Sequence, residues 1–382
     1  MKKHVLVLSA YDALSHQHWR TVVAQLLPEF HWTQLALPAR HFSWRVRGNS
    51  LSWGIGQAAA LAGPYDLLLA TSLVDLASLR GFVPSLATIP TIVYFHENQF
   101  VYPLNPKITG QKQFENLDAT MVSLYTALCA DQLVFNSEFN RQTFLAGIRR
   151  LLQKLPDQIP TDIESRLAKS RVIPVPLGMD LSLTEKHPES DPKVLNLAWN
   201  HRWEYDKGID LLLQVVRRIE ELGLAVQFHI SGQQFRQRPK EFGLIEQLLS
   251  QMRNRDPRLQ HRLGYLTDRR EYLAELARCD VVLSTARHDF QGLAVLEACA
   301  LGCTPLCPDN LVYPEYLGMP FLYTAPGEAS HSNAAAEIVD RLIHWRTEKK
   351  EGKALPKFHP EKFLPAALKE SYLMLFNTLI KD

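Results

Sequence analysis

Two carboxylates, Asp289 and Glu297, stand eight positions apart in the most informative segment of this sequence. Glu297 lies within Gly292–Ala300, whose apolar pattern predicts a helix that begins near Gly292, with Leu293 as a further candidate ligand contact. Gly292 lets a ligand approach the backbone closely, and a helix N-terminus presents unpaired N–H groups to a phosphate. Asp289 is placed to accept hydrogen bonds from sugar hydroxyls, and Glu297 to contact a ribose diol. The segment predicts a site for a phosphate and sugar hydroxyls, against the alternative of a capped helix with an incidental glutamate.

Two cations flank the loop that follows another predicted strand, Val194–Trp199. Arg202 and Lys207 stand on either side of this loop, and two positive charges beyond a strand suit the negative charge of a diphosphate. Taken alone, such residues are more typical of a solvated surface. Their combination with the paired carboxylates favours contact with the diphosphate of the same ligand.

A short polar run follows a third predicted strand, Thr91–Phe95. It consists of His96, Glu97 and Asn98, which supply hydrogen-bond donors and acceptors for a polyhydroxylated ligand. In open parallel sheets ligands bind outside the carboxyl ends of the strands, and this run occupies such a position. A histidine after a strand is also compatible with a purely structural role, and this alternative stays open.

Arginines and tryptophans alternate in a stretch between positions 30 and 65 that contains no Asp or Glu. Arg40, Trp44, Arg45 and Arg47 belong to it, and this mixture suits phosphate contact combined with base stacking on an unpaired RNA loop. The alternative is a solvated loop with buried tryptophans. A second basic patch on the same half of the chain includes Arg149 and Arg150.

Short apolar runs rich in strand formers alternate with amphipathic runs, which predicts parallel sheets covered on both faces by helices. The predicted strands are Val5–Ser9, Trp32–Leu37, Asp66–Ala70, Thr91–Phe95 and Gln132–Phe135, and then Val194–Trp199, Ala225–Ser231, Val281–Ser284 and Thr304–Leu306. The predicted helices include His16–Leu27, Gln111–Ala130, Lys207–Leu222, Phe242–Met252, Asp268–Ala277 and Gly292–Ala300.

A proline-rich polar stretch between Pro174 and Pro192 divides the chain and predicts an interdomain linker. The 382 residues then accommodate two doubly wound α/β domains, at 1–180 and 190–355. Residues 356–382 contain a further helical pattern, which can pack back on the N-terminal domain.

The composition excludes several classes of protein. Apolar residues make up 46% and charged residues 21% of the sequence, which rules out a disordered chain. The formal net charge is +2, so nucleic-acid binding must come from local basic patches. No apolar run approaches the roughly 18 residues that span a bilayer, and the first residues predict a strand rather than a signal peptide. We therefore expect a cytoplasmic protein that does not enter membranes.

Cofactor motifs of other enzyme classes do not match. Cys299, Cys303 and Cys307 recur every four residues, but this spacing matches no common zinc pattern, and we expect buried free thiols. No Gly-x-Gly-x-x-Gly follows the first predicted strand, which argues against a nicotinamide dehydrogenase.

The loop and helix motifs together resemble those of nucleotide-sugar-dependent, retaining glycosyltransferases of the GT-B type. The resemblance lies in Arg202 followed by Lys207 and a glycine, and in the two acids with their spacing kept. The sequence departs from the pattern because Asp289 stands where glutamate is usual and Gln291 precedes the glycine. The resemblance implies two doubly wound, Rossmann-like domains that face a cleft, with the donor held mainly by the C-terminal domain.

A closer resemblance is to the tRNA-queuosine α-mannosyltransferase family. It rests on five motifs spread over roughly residues 4–325, namely His96-Glu97-Asn98-Gln99, Phe135-Asn136-Ser137-Glu138-Phe139-Asn140, His41-Phe42-Ser43-Trp44-Arg45, His201-Arg202-Trp203-Glu204 and Cys303-Thr304-Pro305-Leu306-Cys307-Pro308-Asp309. It implies transfer of mannose from GDP-mannose to the cyclopentenediol of queuosine in a tRNA anticodon.

The same resemblance implies how the reaction proceeds. No protein nucleophile and no metal is expected, because the departing phosphate deprotonates the acceptor on the same face, and His96 is expected to lie against the transferred sugar. The family's glycine-rich turn after the first strand is replaced here by a turn without glycine, in which Ser15 and His16 are the candidate ligand contacts.

Two other functions fit these residues. One is the same enzyme class acting on a glycan or lipid carrier, and only the tRNA enzyme would incorporate sugar into added queuosine-containing tRNA. The other is a non-catalytic tRNA-binding module, whose function would survive replacement of Glu297 or Lys207.

Overall fold

The structure, a computed structural model, describes residues 2–101, 115–157, 162–178, 191–234, 238–326 and 331–380. It divides into two compact units, of which the first comprises Met1–Gly178 with Lys362–Asp382 and the second comprises Met179–Glu361. Most of the predicted linker, residues 179–190, lies outside the described residues.

The first unit is built on a parallel sheet whose central strands are buried throughout. Its strands are β1 (His4–Asp12), β2 (His31–Pro38), β3 (Leu67–Thr71), β4 (Thr91–Phe95), β5 (Gln132–Phe135) and β6 (Arg171–Val172). They lie in the order β2-β1-β3-β4-β5-β6. Every residue of β3 and β4 is buried, as expected for strands covered on both faces. The strands predicted for this half of the chain are confirmed.

Helices cover this sheet, and the polar residues that follow its strands lie at its carboxyl edge. They are α1 (Leu14–Leu26), α2 (Phe42–Gly54), α3 (Ala58–Leu61), α4 (Leu76–Phe82), α5 (Glu115–Leu128), α6 (Glu138–Leu152) and α7 (Asp162–Ala168). The Ser137 hydroxyl accepts a hydrogen bond from the Asn140 N–H and so caps α6. Residues 111–114 of the predicted helix before β5 lie outside the described residues.

The C-terminal helix α13 (Pro365–Leu379) belongs to the first unit. Nε1 of Trp19, on α1, donates a 3.0 Å hydrogen bond to the hydroxyl of Tyr372 on α13. That hydroxyl in turn donates to the Pro174 carbonyl at 2.9 Å. The helix α13, although distant from α1 in the sequence, thus packs beside it in the first unit.

The second unit repeats the architecture. Its strands are β7 (Leu195–Trp199), β8 (Val226–Ser231), β9 (Arg262–Gly264), β10 (Val281–Leu283), β11 (Thr304–Pro308) and β12 (Leu322–Tyr323), in the order β12-β11-β10-β7-β8-β9. Its helices are α8 (Ile209–Glu221), α9 (Glu241–Arg255), α10 (Arg269–Leu276), α11 (Leu293–Ala300) and α12 (His331–Lys350). Because β7 pairs with β10, the loops that follow these two strands are neighbours at the carboxyl edge.

The helix α2 was not predicted from the sequence. Its arginines, serines and glycines carry no clear helical period, and its order depends on packing against other elements. Val46 packs with Ala119 and Val122 of α5, and Trp53 is fully buried. The arginine- and tryptophan-containing stretch is therefore largely a helix rather than a loop.

Candidate active site

Asp289 lies between β10 and α11 and is fixed by two hydrogen bonds. Its Oδ1 accepts from the Gly292 N–H at 2.9 Å, and its Oδ2 accepts from the Tyr313 hydroxyl at 3.1 Å. Gly292 has φ 71° and directly precedes α11. A Cβ at this position would lie 2.7 Å from the Tyr316 hydroxyl, so both the backbone conformation and the space require glycine.

Lys207 brings the loop after β7 to the same carboxylate. Its Nζ lies 3.9 Å from Oδ2 of Asp289 and donates a 2.6 Å hydrogen bond to the His288 carbonyl. Burial raises the pKa of Asp289, but Lys207, His201 and the hydrogen bonds together lower it below its usual value. The structure therefore places an ionised carboxylate beside a buried ammonium group.

Arg202 stands at the start of the same loop, with 41% of its side chain exposed. Its guanidinium pairs with Glu204 at 2.8 Å and with Oδ2 of Asp206 at 3.5 Å. Oδ2 of Asp206 also lies 3.3 Å from Nζ of Lys207. The two cations predicted to flank a diphosphate thus share one carboxylate.

Glu297 projects from α11 and is held by residues that the sequence analysis did not identify. Arg269 makes a two-point ion pair with it, from Nη2 to Oε1 at 2.5 Å and from Nη1 to Oε2 at 3.2 Å. The Tyr272 hydroxyl donates to Oε2 at 3.4 Å. Both partners lie on α10, 25 to 28 residues earlier. Leu293, the first residue of α11, is half-buried at the helix start.

His96 lies in an aromatic cluster at the end of β4. Its ring stacks on that of His16, with centroids 4.1 Å apart and an interplanar angle of 26°. Trp19 meets His96 edge-on at 4.7 Å. Among the described residues, neither ring nitrogen of His96 has a hydrogen-bond partner. Burial, and then the neighbouring His16 and His18, lower the pKa of His96 well below its ordinary value, so the imidazole is neutral at pH 7.

The first turn of α1, which directly follows β1, contributes His16 to this cluster. Nε2 of His16 lies 2.9 Å from Oε2 of Glu97, and the Ser72 hydroxyl donates to Oε1 of Glu97 at 3.3 Å. Ser15, in the first turn of α1, is exposed. The glycine-free turn thus presents one exposed hydroxyl and one buried imidazole next to His96.

The predicted ligand contact of Asn98 needs correction. Asn98 is fully buried, and its Nδ2 donates to Oδ1 of Asn140 at 2.9 Å and to the Thr143 hydroxyl at 3.0 Å. Its Oδ1 accepts from the Phe100 N–H at 3.0 Å. Because both ends of the amide are engaged inside the unit, Asn98 anchors the loop after β4 rather than facing a ligand.

The proposed RNA-binding residues on and before α2 separate into exposed and buried members. Arg40 and Trp44 are exposed, with 53% of Trp44 accessible. Arg47 is half-exposed and pairs with Asp75 at 3.7 Å. The prediction that Arg45 contacts RNA at the surface is wrong. Arg45 is only 9% exposed, and its Nε donates to the Pro38 carbonyl at 3.2 Å.

The second predicted basic patch lies at the C-terminal end of α6. Arg149 and Arg150 are both exposed, and Nε of Arg149 donates to Glu164 at 2.9 Å. Positive side chains in the last turn of a helix also interact favourably with its dipole. Arg149 and Arg150 therefore stabilise α6 in addition to any role in binding.

The cysteine expectation is confirmed, since Cys299, Cys303 and Cys307 are buried free thiols in the described structure. Burial raises the pKa of each of these thiols. In the described ranges, His, Cys, Asp and Glu side chains form no group of three that could hold a metal ion. None of the helices in those ranges is long and apolar enough to cross a membrane.

The fold and the site define a glycosyltransferase of the GT-B type. Similar solved structures include sucrose-phosphate synthase from Thermosynechococcus elongatus, with TM-score 0.64, 14% identity, and coverage of 98% of this chain and 100% of that one. An α,α-trehalose-phosphate synthase from Burkholderia vietnamiensis gives TM-score 0.63 and 14% identity, with coverage of 100% and 98%. At these identities the likeness concerns the fold.

Family profiles and a curated relative are more specific. Residues 4–177 match the profile described as tRNA-queuosine alpha-mannosyltransferase N-terminal, and residues 184–357 match glycosyl transferases group 1. A tRNA-queuosine alpha-mannosyltransferase from Drosophila melanogaster is 30% identical over 392 residues, covering 100% of this chain and 98% of that protein. The chain belongs to the tRNA-queuosine alpha-mannosyltransferase family.

Proposed function

We propose that this enzyme transfers mannose from GDP-mannose to the cyclopentenediol of queuosine in a tRNA anticodon, with retention of configuration. The observation that carries the proposal is the 3.9 Å approach of Lys207 to Asp289 at the start of α11, in a chain of this family. A cation for a diphosphate and a carboxylate for sugar hydroxyls are what a sugar-nucleotide donor requires.

The donor is assigned mainly to the second unit. Lys207 and Arg202 bind the diphosphate, Asp289 binds hydroxyls of the transferred sugar, and Glu297 binds the ribose. The free N–H groups at the start of α11, next to Gly292, add a partial positive charge. His96 and its neighbours His16, Glu97 and Ser15 are the proposed sugar and ligand contacts of the first unit.

No protein nucleophile takes part in the proposed mechanism. The departing phosphate accepts the proton of the attacking queuosine hydroxyl on the same face of the sugar, which retains the configuration. The protein orients the two substrates and stabilises the charge that develops on the diphosphate. In the proposed reaction Lys207 and Arg202 provide this stabilisation, and no metal cofactor takes part.

The acceptor is assigned to tRNA on the basis of the family and the exposed basic and aromatic residues of the first unit. Arg40, Trp44 and Arg47 on and before α2, with Arg149 and Arg150 on α6, are the proposed contacts. Binding through such patches in a chain of net charge +2 should weaken as salt is raised. A tRNA acceptor is consistent with a cytoplasmic enzyme.

A panel of nucleotide sugars, each incubated with queuosine-containing and queuosine-free tRNA and analysed by nucleoside mass spectrometry, tests the proposal. We expect a mass gain of one hexose on queuosine with GDP-mannose only. Incorporation from another nucleotide sugar would replace the donor assignment. Donor turnover without incorporation into either tRNA would favour a glycan or lipid acceptor, and no turnover with any donor would favour a tRNA-binding module.

A further inference from the structure

A buried histidine of the second unit lies on the loop after β7, and among the described residues one of its ring nitrogens has no partner. His201 comes two residues after the end of β7 and is 4% exposed. Its ring meets that of Trp199 edge-on, with centroids 5.1 Å apart. Within the part of the chain that the structure describes, Nε2 of His201 is buried and makes no hydrogen bond. A buried polar atom without a partner is unfavourable, so a hydrogen-bonding group of a ligand at this position would relieve that cost.

The charged groups that act on this imidazole are those of the proposed donor site. Burial, and then Lys207, lower its pKa to about 4, although Asp289 and Asp206 act in the opposite direction. The imidazole is therefore neutral at physiological pH. A neutral N–H can approach a phosphate oxygen next to Lys207 without adding cationic repulsion to that ammonium group.

The backbone of His201 lies in close contact with the neighbouring loop. A Cβ at Gly232, which has φ 157°, would lie 1.7 Å from the His201 carbonyl oxygen, so the loops after β7 and β8 pack in direct contact. The Trp203 N–H donates a 3.0 Å hydrogen bond to the Gln233 carbonyl and joins the same two loops. The backbone from which the imidazole projects is thus held by two loops, and the ring itself packs against Trp199.

We propose that His201 binds the diphosphate of the nucleotide-sugar donor through an imidazole N–H, next to Lys207. The inference rests on the proposed function, because it takes a nucleotide sugar as the ligand of Lys207 and Asp289. In this arrangement Lys207 supplies charge and His201 supplies a directional hydrogen bond.

His261 provides a matched control within the same unit. It is 8% exposed, its Nε2 also makes no hydrogen bond to the described residues, and burial likewise lowers its pKa to about 4. It directly precedes β9, at the amino end of that strand, and its Nδ1 accepts from the Phe228 N–H at 3.1 Å. Donor binding is expected at the opposite, carboxyl edge of the sheet.

Isothermal titration of the full chain with GDP, UDP, ADP and dTDP tests the inference. We expect His201→Leu to weaken binding of the preferred diphosphate about tenfold or more, and His261→Leu to lower thermal stability while leaving that affinity within about twofold. His201→Gln, whose amide nitrogen reaches the position of Nε2, should retain most of the affinity, whereas the shorter His201→Asn should not.

The outcomes separate the two claims. If the unaltered protein binds none of the four diphosphates, the proposed function itself is wrong. If it binds one of them and His201→Leu binds it equally well, the role of His201 is overturned. Should His201→Leu fail to fold, the comparison of His201→Gln with His201→Asn decides, because equal affinities for these two variants would contradict a hydrogen bond at Nε2.

Discussion

Nζ of Lys207 lies 3.9 Å from Oδ2 of Asp289, although the two residues come from loops after different strands. The pairing of β7 with β10 brings those loops together, and the carbonyl of His288 holds the ammonium group in place at 2.6 Å. A nucleotide sugar bound here would meet the cation with its diphosphate and the carboxylate with its sugar.

Replacing Lys207 by Met should lower kcat by roughly 100-fold or more, because one preorganised donor to a developing charge contributes on that scale. Steady-state rates with GDP-mannose and queuosine-containing tRNA measure the effect. Lys353→Met is the control, since that lysine is 63% exposed and pairs with Glu351. An unchanged kcat in the Lys207 variant would remove this residue from the reaction.

Replacing Arg269 by Gln should raise the KM for the donor about fivefold and leave kcat nearly unchanged. Arg269 holds the Glu297 carboxylate. If Glu297 binds the ribose as proposed, a looser carboxylate weakens ground-state and transition-state binding alike. Arg255→Gln is a matched control, because Arg255 makes a comparable 2.9 Å pair with Glu220 on the helical surface. A loss confined to kcat would instead indicate a contact with the reacting atoms.

Replacing Trp44 by Ala should weaken tRNA binding about tenfold, as expected for the loss of one base stacked on an aromatic ring. Gly48→Ala should have a similar effect, because a Cβ there would lie 2.3 Å from the Trp44 indole and displace it. Leu51→Ala serves as the control, since Leu51 is exposed on the same helix. Filter binding at several salt concentrations measures the affinities, and equal loss in the Leu51 variant would argue against stacking.

Replacing Tyr372 by Phe should lower the free energy of unfolding by about 1–3 kcal/mol, because the buried Nε1 of Trp19 loses its acceptor. Chemical denaturation measures the change, with Tyr265→Phe as the control because Tyr265 is 48% exposed. Equal stability of both variants would mean that the contact between α1 and α13 contributes little.

The free energy of unfolding should fall as the pH is lowered from 7 to 5. His201 and His261 have pKa values of about 4 in the folded protein, whereas an unfolded histidine titrates near 6.5, so protons bind preferentially to the unfolded chain in this window. Each such histidine contributes up to about 1.4 kcal/mol per pH unit. The pKa values of Asp206 and Asp289 are lowered in the folded protein, so these carboxylates reduce the free energy of unfolding only when the pH falls below about 4.

Denaturation at several pH values checks this expectation. His261→Gln should reduce the pH dependence by roughly one proton per molecule between pH 6 and pH 5. A pH dependence equal to that of the unaltered protein would show that His261 is protonated in the folded state.

The sequence by itself determined the α/β class, most of the strands and the positions where chemistry was to be sought. Strand and helix periods are local properties, and the strand-end rule for parallel sheets then selected Lys207, Asp289 and His96. The tertiary structure alone decided which polar groups are engaged inside the protein. It buried Arg45 and the amide of Asn98, because their partners come from other elements of the first unit.

The same reason explains the residues that the sequence did not reveal. Arg269 meets Glu297 across 28 positions, and the environment of His201 depends on loops after three strands. Hydrogen-bond partners and burial are set by contacts between elements distant in the chain. Local patterns therefore identify the positions of functional residues in the chain, whereas the packed structure determines what their side chains can bind.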